Sequence, residues 1–362
     1  MNTKSILRHA RAILLLPAAI CMMALASCDN VIYDDEGDCS VTYRIKFRYD
    51  KNLKWADAFA NECSSVRLYA FGEDGKLAWE GREKGSALSQ PGYSMVLELP
   101  AGDYRLLAWC GIDNDDPKGE NFTVPEAVVG KTTIEELTCR MERYAKDQYP
   151  AVSDRQLHFM FHGTLDVSLP QSDDQGGDYV YVMPLTKDTN HIRIILQQLS
   201  GEDTDVDQFH FSIQDANGFY ACDNSLLEDE EITYLPWARL SGQAGVGKDE
   251  TDGQSRAVIM VNGAIADLSV GRMMADRAHD MILTITNDDG ETVAKVPVID
   301  YALLSKEYYE EAYGHKMTPQ EFLDREDEYV LTFFLDSNMR WISSSILIHS
   351  WRIVLQDVDI TS

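Results

Sequence analysis

Residues 41–49 alternate without a break: Val41, Tyr43, Ile45, Phe47 and Tyr49 fall in one phase, with Thr42, Arg44, Lys46 and Arg48 in the other. Successive side chains of a strand point to opposite faces, so this period of two predicts a strand with one face in a core. The pattern recurs. Residues 66–71 and 76–79, separated by Gly72-Glu73-Asp74-Gly75, predict a hairpin. Residues 93–99 and 105–110 predict strands on either side of the turn Pro100-Ala101-Gly102-Asp103-Tyr104. Leu137, Cys139 and Met141 mark another strand, as do residues 157–165 and 179–185. Beyond Thr186-Lys187-Asp188-Thr189-Asn190 the style repeats at residues 192–196, 209–213, 257–261, 281–286, 329–335 and 346–348. Residues 351–360 close the chain as a strand, with Trp351, Ile353 and Leu355 in one phase but Val358 and Ile360 in the other. That switch predicts a bulge near Gln356 or Asp357. Helix formers gather only at residues 55–61, 301–313 and 319–328, the last with Thr318 and Glu321 spaced as a capping box and Pro319 at the first helical position.

This pattern predicts an all-β protein with a few short connecting helices. A chain of 362 residues is long enough for two domains, each with its own core. Both halves are series of hairpins with acidic glycine turns, which points to two domains of one type. The boundary is placed near Lys187, giving an N-terminal β-sandwich over residues 40–187 and a C-terminal one over residues 188–362.

The N-terminus is different in kind. Lys4, Arg8 and Arg11 precede an uncharged run over residues 12–26, the layout of a secretory signal occupying residues 1–27. The run is shorter than the roughly 20 residues of a membrane span, and Pro17 interrupts it. It ends in Leu25-Ala26-Ser27-Cys28, which resembles a bacterial lipobox and makes Cys28 the expected lipid-attachment residue, carrying a diacylglycerol and an N-acyl chain such as palmitate. A plain secretory signal, the alternative, requires no Cys there. Asp29, Asp34, Asp35, Glu36 and Asp38 make residues 28–39 an acidic tether. Acidic residues directly after a lipidated Cys resemble a surface-export signal of Bacteroidota-type envelopes, while a plain solvated leader is the other reading.

The formal charge of −28 opposes binding to phosphate backbones and anionic surfaces, so no nucleic-acid partner is expected, and membrane affinity must come from the lipid. Beyond the leader, Cys39, Cys63, Cys110, Cys139 and Cys222 include no C-x-x-C, so neither a zinc knuckle nor a thioredoxin-type site is suggested. One or two disulfides are compatible with an exported protein, but spacing does not say which.

Other candidate chemistry fails on detail. Gly242-Gln243-Ala244-Gly245-Val246-Gly247-Lys248 satisfies G-x-x-x-x-G-K, but Asp249 stands where a phosphate loop needs Ser or Thr, so a flexible loop is expected. His158 and His162 flank Phe159-Met160-Phe161 and read as core or edge histidines. Asp203, Asp205 and Asp207 begin like a calcium loop, but Gln208 replaces the turn glycine and Gln214 the bidentate Glu. No nucleophile elbow occurs. No catalytic residue, metal site or dissociable cofactor is expected.

With the lipobox, tether and hairpins in hand, the chain resembles the FimB-like fimbrillin-associated anchor lipoproteins, minor subunits at the base of type V pili. The likeness rests on Cys28-Asp29 with Asp34-Asp35, Phe47-Arg48-Tyr49-Asp50-Lys51-Asn52, Val66-Arg67-Leu68-Tyr69-Ala70-Phe71 and Leu99-Pro100-Ala101-Gly102-Asp103-Tyr104-Arg105. Gln320-Glu321-Phe322-Leu323-Asp324-Arg325-Glu326 and Trp351-Arg352-Ile353-Val354-Leu355-Gln356 match the closing segments. Gly72 departs from it, where Asp is common. The resemblance implies two tandem transthyretin-like β-sandwiches, no enzymatic activity, attachment to the outer membrane through Cys28, and binding to the last fimbrial stalk subunit that ends assembly. The closing strand itself has two readings: an ordinary strand of the second sandwich, its apolar residues in both phases being buried on both faces, or, at least in part, a segment offered to the stalk by strand addition, with Trp351, Ile353 and Leu355 filling pockets of the partner. A surface glycan-binding lipoprotein would share the address and the sandwiches but needs an exposed aromatic platform.

Overall fold

A computed structural model describes residues 41–113, 121–171, 177–198, 204–247, 258–348 and 351–354. Residues 42–171 and 179–362 form one compact unit, described here; Val41, Gly177 and Asp178 belong to another. The earlier strands are β1 (Val41–Arg48), β2 (Ser65–Phe71), β3 (Leu77–Lys84), β4 (Met95–Leu97), β5 (Gly102–Cys110), β6 (Phe122–Thr123), β7 (Cys139–Met141), β8 (Tyr144–Lys146), β9 (Tyr149–Ser153), β10 (Phe161–Leu169), β11 (Gly177–Pro184) and β12 (Thr186–Lys187). Then come β13 (Asn190–Gln198), β14 (Phe209–Asp215), β15 (Phe219–Tyr220), β16 (Ile232–Tyr234), β17 (Ala238–Gly247), β18 (Val258–Val270), β19 (Ile282–Asn287), β20 (Thr292–Pro297), β21 (Glu328–Leu335), β22 (Trp341–Ile348) and β23 (Trp351–Val354). Four short helices join them: α1 (Phe59–Glu62), α2 (Val298–Leu303), α3 (Lys306–Tyr313) and α4 (Pro319–Arg325). The protein is all-β with short connecting helices, as its periodicity predicts.

A three-stranded sheet, β11-β1-β4, faces a five-stranded one, β12-β10-β5-β2-β3. The alternation read in the sequence is realised in β1 from Tyr43 onward, while Val41 is half-buried. Tyr43, Ile45, Phe47 and Tyr49 are buried, and the Tyr49 ring meets Phe161 of β10 edge-on at 5.0 Å. Burying each such side chain contributes about 1.5–3 kcal/mol. Strand β2 is buried on both faces. Val66, Leu68 and Ala70 share a face with Cys110, Ala108 and Leu106 of β5, their cross-strand partners. Tyr69, Phe71, Leu107 and Trp109, on the opposite face, join the large core that also holds Ile192, Phe209 and Leu331. Two-sided burial explains why β2 reads as a continuous apolar run.

The later strands build two six-stranded sheets, β17-β18-β13-β21-β22-β23 and β20-β19-β14-β16-β9-β8. Ile192, Ile194, Leu196, Leu268 and Phe333 from the first share a core with Phe211, Ile213, Leu283 and Ile285 from the second. Strands from either side of residue 187 mix: β9 pairs parallel with β16, and β7 pairs with β15. Within the later part of the chain β13 lies parallel to β21, with His191 opposite Glu328.

Some local expectations shift. The third strand runs on to Lys84, and the strand expected at 157–165 begins at Phe161. The backbone just before it, at Phe159, passes so close to Gly111 that a side-chain carbon there would sit 1.8 Å from the Phe159 carbonyl oxygen. The segment 242–247 is not a flexible loop but part of β17, paired with β18 from Gly242↔Gly263 to Gly247↔Val258. Around residues 55–61 only Phe59–Glu62 is helical, and Trp55 adopts a left-handed φ of 53°. Thr318 caps α4 by accepting the Glu321 N–H at 3.1 Å, but the Glu321 carboxylate takes Arg325 Nε at 3.1 Å, so one half of the expected capping box forms.

Candidate partner interface

The first strand has neighbours on both edges. Tyr43, Arg44 and Ile45 pair with Leu97, Val96 and Met95 of β4, while the Leu185 N–H, just past β11, donates to the Arg48 carbonyl at 2.8 Å. Its end is pinned as well. The Tyr49 N–H donates to Asp57 at 3.0 Å, and Lys51 Nζ reaches Asp324 of α4 at 2.6 Å. Phe59 of α1 stacks on Phe47 at 5.4 Å, closing over the strand.

The last described strand is placed differently. Strand β23 stands at the end of its sheet, paired with β22 alone through Ser345↔Val354, Ile346↔Ile353, Leu347↔Arg352 and Ile348↔Trp351. Among the described residues its other edge has no strand partner. Such an edge presents a row of main-chain donors and acceptors to which another chain can add. Trp351 and Ile353 are alternate positions of this edge; Leu355 lies outside the described residues, as do Cys28, the acidic tether and the region of the expected bulge.

Past the end of the first strand lies a cluster of charges that spacing in the sequence gives no means of finding. A cleft of about 680 Å³ is lined in part by Lys51, His162, Asn224, Arg272 and Asp324. Beneath it, Arg272 donates to Asp324 at 2.9 Å and lies 3.5 Å from Asp188, which is fully buried and accepts from Asn224 Nδ2 at 2.9 Å. Burial pushes the Asp188 carboxyl up to about 7 against the pull of Arg272. Burial also favours protonating Asp324, but Arg272 and Lys51 outweigh it and hold its carboxyl below the usual value. These groups serve one another, and no nucleophile stands beside a base. The arrangement ties the segment after β1, the β12–β13 link and α4 together.

The remaining candidates resolve into structural roles. His162 is buried in β10 with Nε2 2.9 Å from the Cys222 carbonyl, and burial lowers its pKa to about 4, so the ring is neutral and donates. The Asp205 carboxylate accepts from the Asp207 N–H at 3.0 Å, capping a single turn over Val206–Gln208. Asp203 lies outside the described residues, and Asp113 is held by Arg67. Among the described residues no three His, Cys, Asp or Glu are grouped to hold a metal ion, and no helix is long and apolar enough to cross a membrane. Exposed aromatics are spread over separate elements: Trp55 on a loop, Tyr144 on β8, Phe159 before β10, Tyr308 and Tyr313 on α3.

Packed β-sheets joined by short helices define an all-β protein with a covered first strand and, among the described residues, a last strand paired along one edge. Residues 35–357 match the family described as fimbrillin-A associated anchor proteins Mfa1 and Mfa2. The chain belongs to that family. It is 23% identical over 238 residues to the minor fimbrium anchoring subunit Mfa2 of Porphyromonas gingivalis, covering 65% of this chain and 69% of that protein. The crystal structure of the fimbrial anchor protein Mfa2 from P. gingivalis shares its fold, with a TM-score of 0.59 at 15% identity over 87% of this chain and 99% of that one. A putative adhesin from Bacteroides thetaiotaomicron is 29% identical with a TM-score of 0.73, covering 89% of this chain and all of its own.

Proposed function

We propose that this protein is the outer-membrane anchor of a fimbria: acyl chains on Cys28 hold it in the membrane, its body joins the last stalk subunit, and that junction ends assembly. The observation that carries the reading is the contrast between β1, buried and flanked on both edges, and β23, open along one. A subunit that keeps its first strand offers no groove for a further subunit to fill. Its last strand and the residues that follow in sequence are the segment offered for donation, with Trp351, Ile353 and Leu355 entering pockets of the stalk subunit. Membership of the anchor family supports this assignment.

Deleting residues 356–362 tests the junction. The truncated protein is expected to melt close to the wild type yet fail to retain fimbriae on the cell; a folded truncation that still anchors them would remove the donor role. The membrane half is tested separately, because Cys28→Ala should release the protein from envelope fractions and abolish labelling by radioactive palmitate. N-terminal sequencing of the surface protein is expected to show β1 retained, and a start after Arg44 or Arg48 would overturn the closed-groove account.

A further inference from the structure

The sequence leaves the pairing of the cysteines open, and the tertiary structure brings two of them together. Cys110 ends β5 directly opposite Val66 of β2, and Cys63 lies just before that strand. The Ser65 carbonyl oxygen binds both sides of the junction, accepting from the Gly111 N–H at 2.8 Å and from the Cys63 thiol at 3.2 Å. The Cys63 thiol is also the side-chain hydrogen-bond partner of the Cys110 thiol. Both are free thiols in this structure and buried, at 6% and 0% exposure. Cys139 instead faces Tyr220 across β7 and β15, and Cys222 is half-buried, its carbonyl bonded to His162.

We propose that Cys63 and Cys110 form a disulfide when the chain folds in an oxidising compartment. Two thiols give up two protons and two electrons as the sulfur–sulfur bond forms; the oxidant is a protein or glutathione disulfide, whose own sulfur–sulfur bond breaks to leave two thiols. Burial raises the Cys110 thiol well above its ordinary pKa, so the attacking thiolate is scarce once the sandwich has closed. The bond therefore forms while β5 docks, or through opening of the loop that carries Cys63. Its position gives it a mechanical consequence. Cys63 directly follows α1, whose Phe59 covers Phe47 of β1, so the cross-link fastens the cover of the first strand to a central strand of the facing sheet. This does not depend on whether the protein joins a fimbria.

The test uses the full chain, reduced, then refolded in a mixture of glutathione and glutathione disulfide, acid-quenched, denatured, alkylated and digested. The peptides carrying Cys63 and Cys110 are expected as one cross-linked species, about 2 Da lighter than the two free thiol peptides together. The oxidised protein should melt about 5 °C or more above the reduced one, and Cys63→Ser should remove that difference. Recovery of both cysteines alkylated, or of Cys63 joined to Cys139 or Cys222, would overturn the assignment. If Cys63→Ser does not fold, the peptide map of the unaltered protein decides alone.

Discussion

Strands β1 and β23 are both short and mix apolar with polar positions, yet they occupy opposite situations. The first lies between two neighbours, with Ile45 fully buried and Phe47 under Phe59. Among the described residues, the last has a neighbour on one side only. In β1 both rows of main-chain groups are engaged and the apolar face is spent on the protein's own core. In β23 one row has no strand partner among the described residues. Under the proposed function, the capacity to join another chain resides at that edge.

The comparison breaks most visibly if β1 is damaged. Ile45→Asp would bury an unpaired carboxylate and is expected to cost more than about 4 kcal/mol, read as loss of the cooperative thermal transition. Retention of a wild-type melt would mean that β1 is not needed to close the sandwich. Next in size is the charge cluster that pins the segment after β1. Arg272→Ala leaves Lys51 as the remaining cation named beside Asp188 and Asp324 and should destabilise the protein by about 3 kcal/mol in denaturant titrations.

Buried carboxyls give the stability a pH dependence. Asp188 in this cluster and Glu326, just after α4, are both raised to about 7, chiefly by burial. Between about pH 4 and 7 the folded chain keeps protons that the unfolded chain has released, so their contribution to stability is lost as the pH rises through that window. Buried His162, lowered to about 4, acts in the opposite sense between about pH 4 and 6.5. Asp188→Asn keeps an acceptor for Asn224 and removes one titrating group. Its stability should therefore fall by up to about 2 kcal/mol less than the wild type's between pH 5 and 7.5. An unchanged profile would show that Asp188 does not titrate in that range. The smallest stability effect is expected at the open edge: Ile353→Asp should move the melting temperature by no more than about 2 °C while abolishing fimbria retention. A large loss of stability would place β23 with β1 as an internal strand.

The order of legibility follows the range of the forces involved. Alternation in β1, the acidic glycine turn after β2, and the Thr318 cap on α4 are each set by neighbours a few residues away, and each could be read directly. The length of β3 and the strand at 242–247 could not. Cross-strand partners hold those segments extended, and Gly242, Gly245 and Gly247 look like a loop until β18 lies beside them. Nor could the charge cluster, because Lys51, Asp188, Arg272 and Asp324 are separated by long stretches of chain and only folding makes one site of them. The sequence by itself determined the strand-rich architecture, the short helices and the core face of β1, since local period and turn chemistry suffice for these. Which strand sits at an edge, which carboxylates share a guanidinium and which thiols touch were decided by tertiary structure, because each depends on pairings such as β13 with β21 that close long loops and have no local signature.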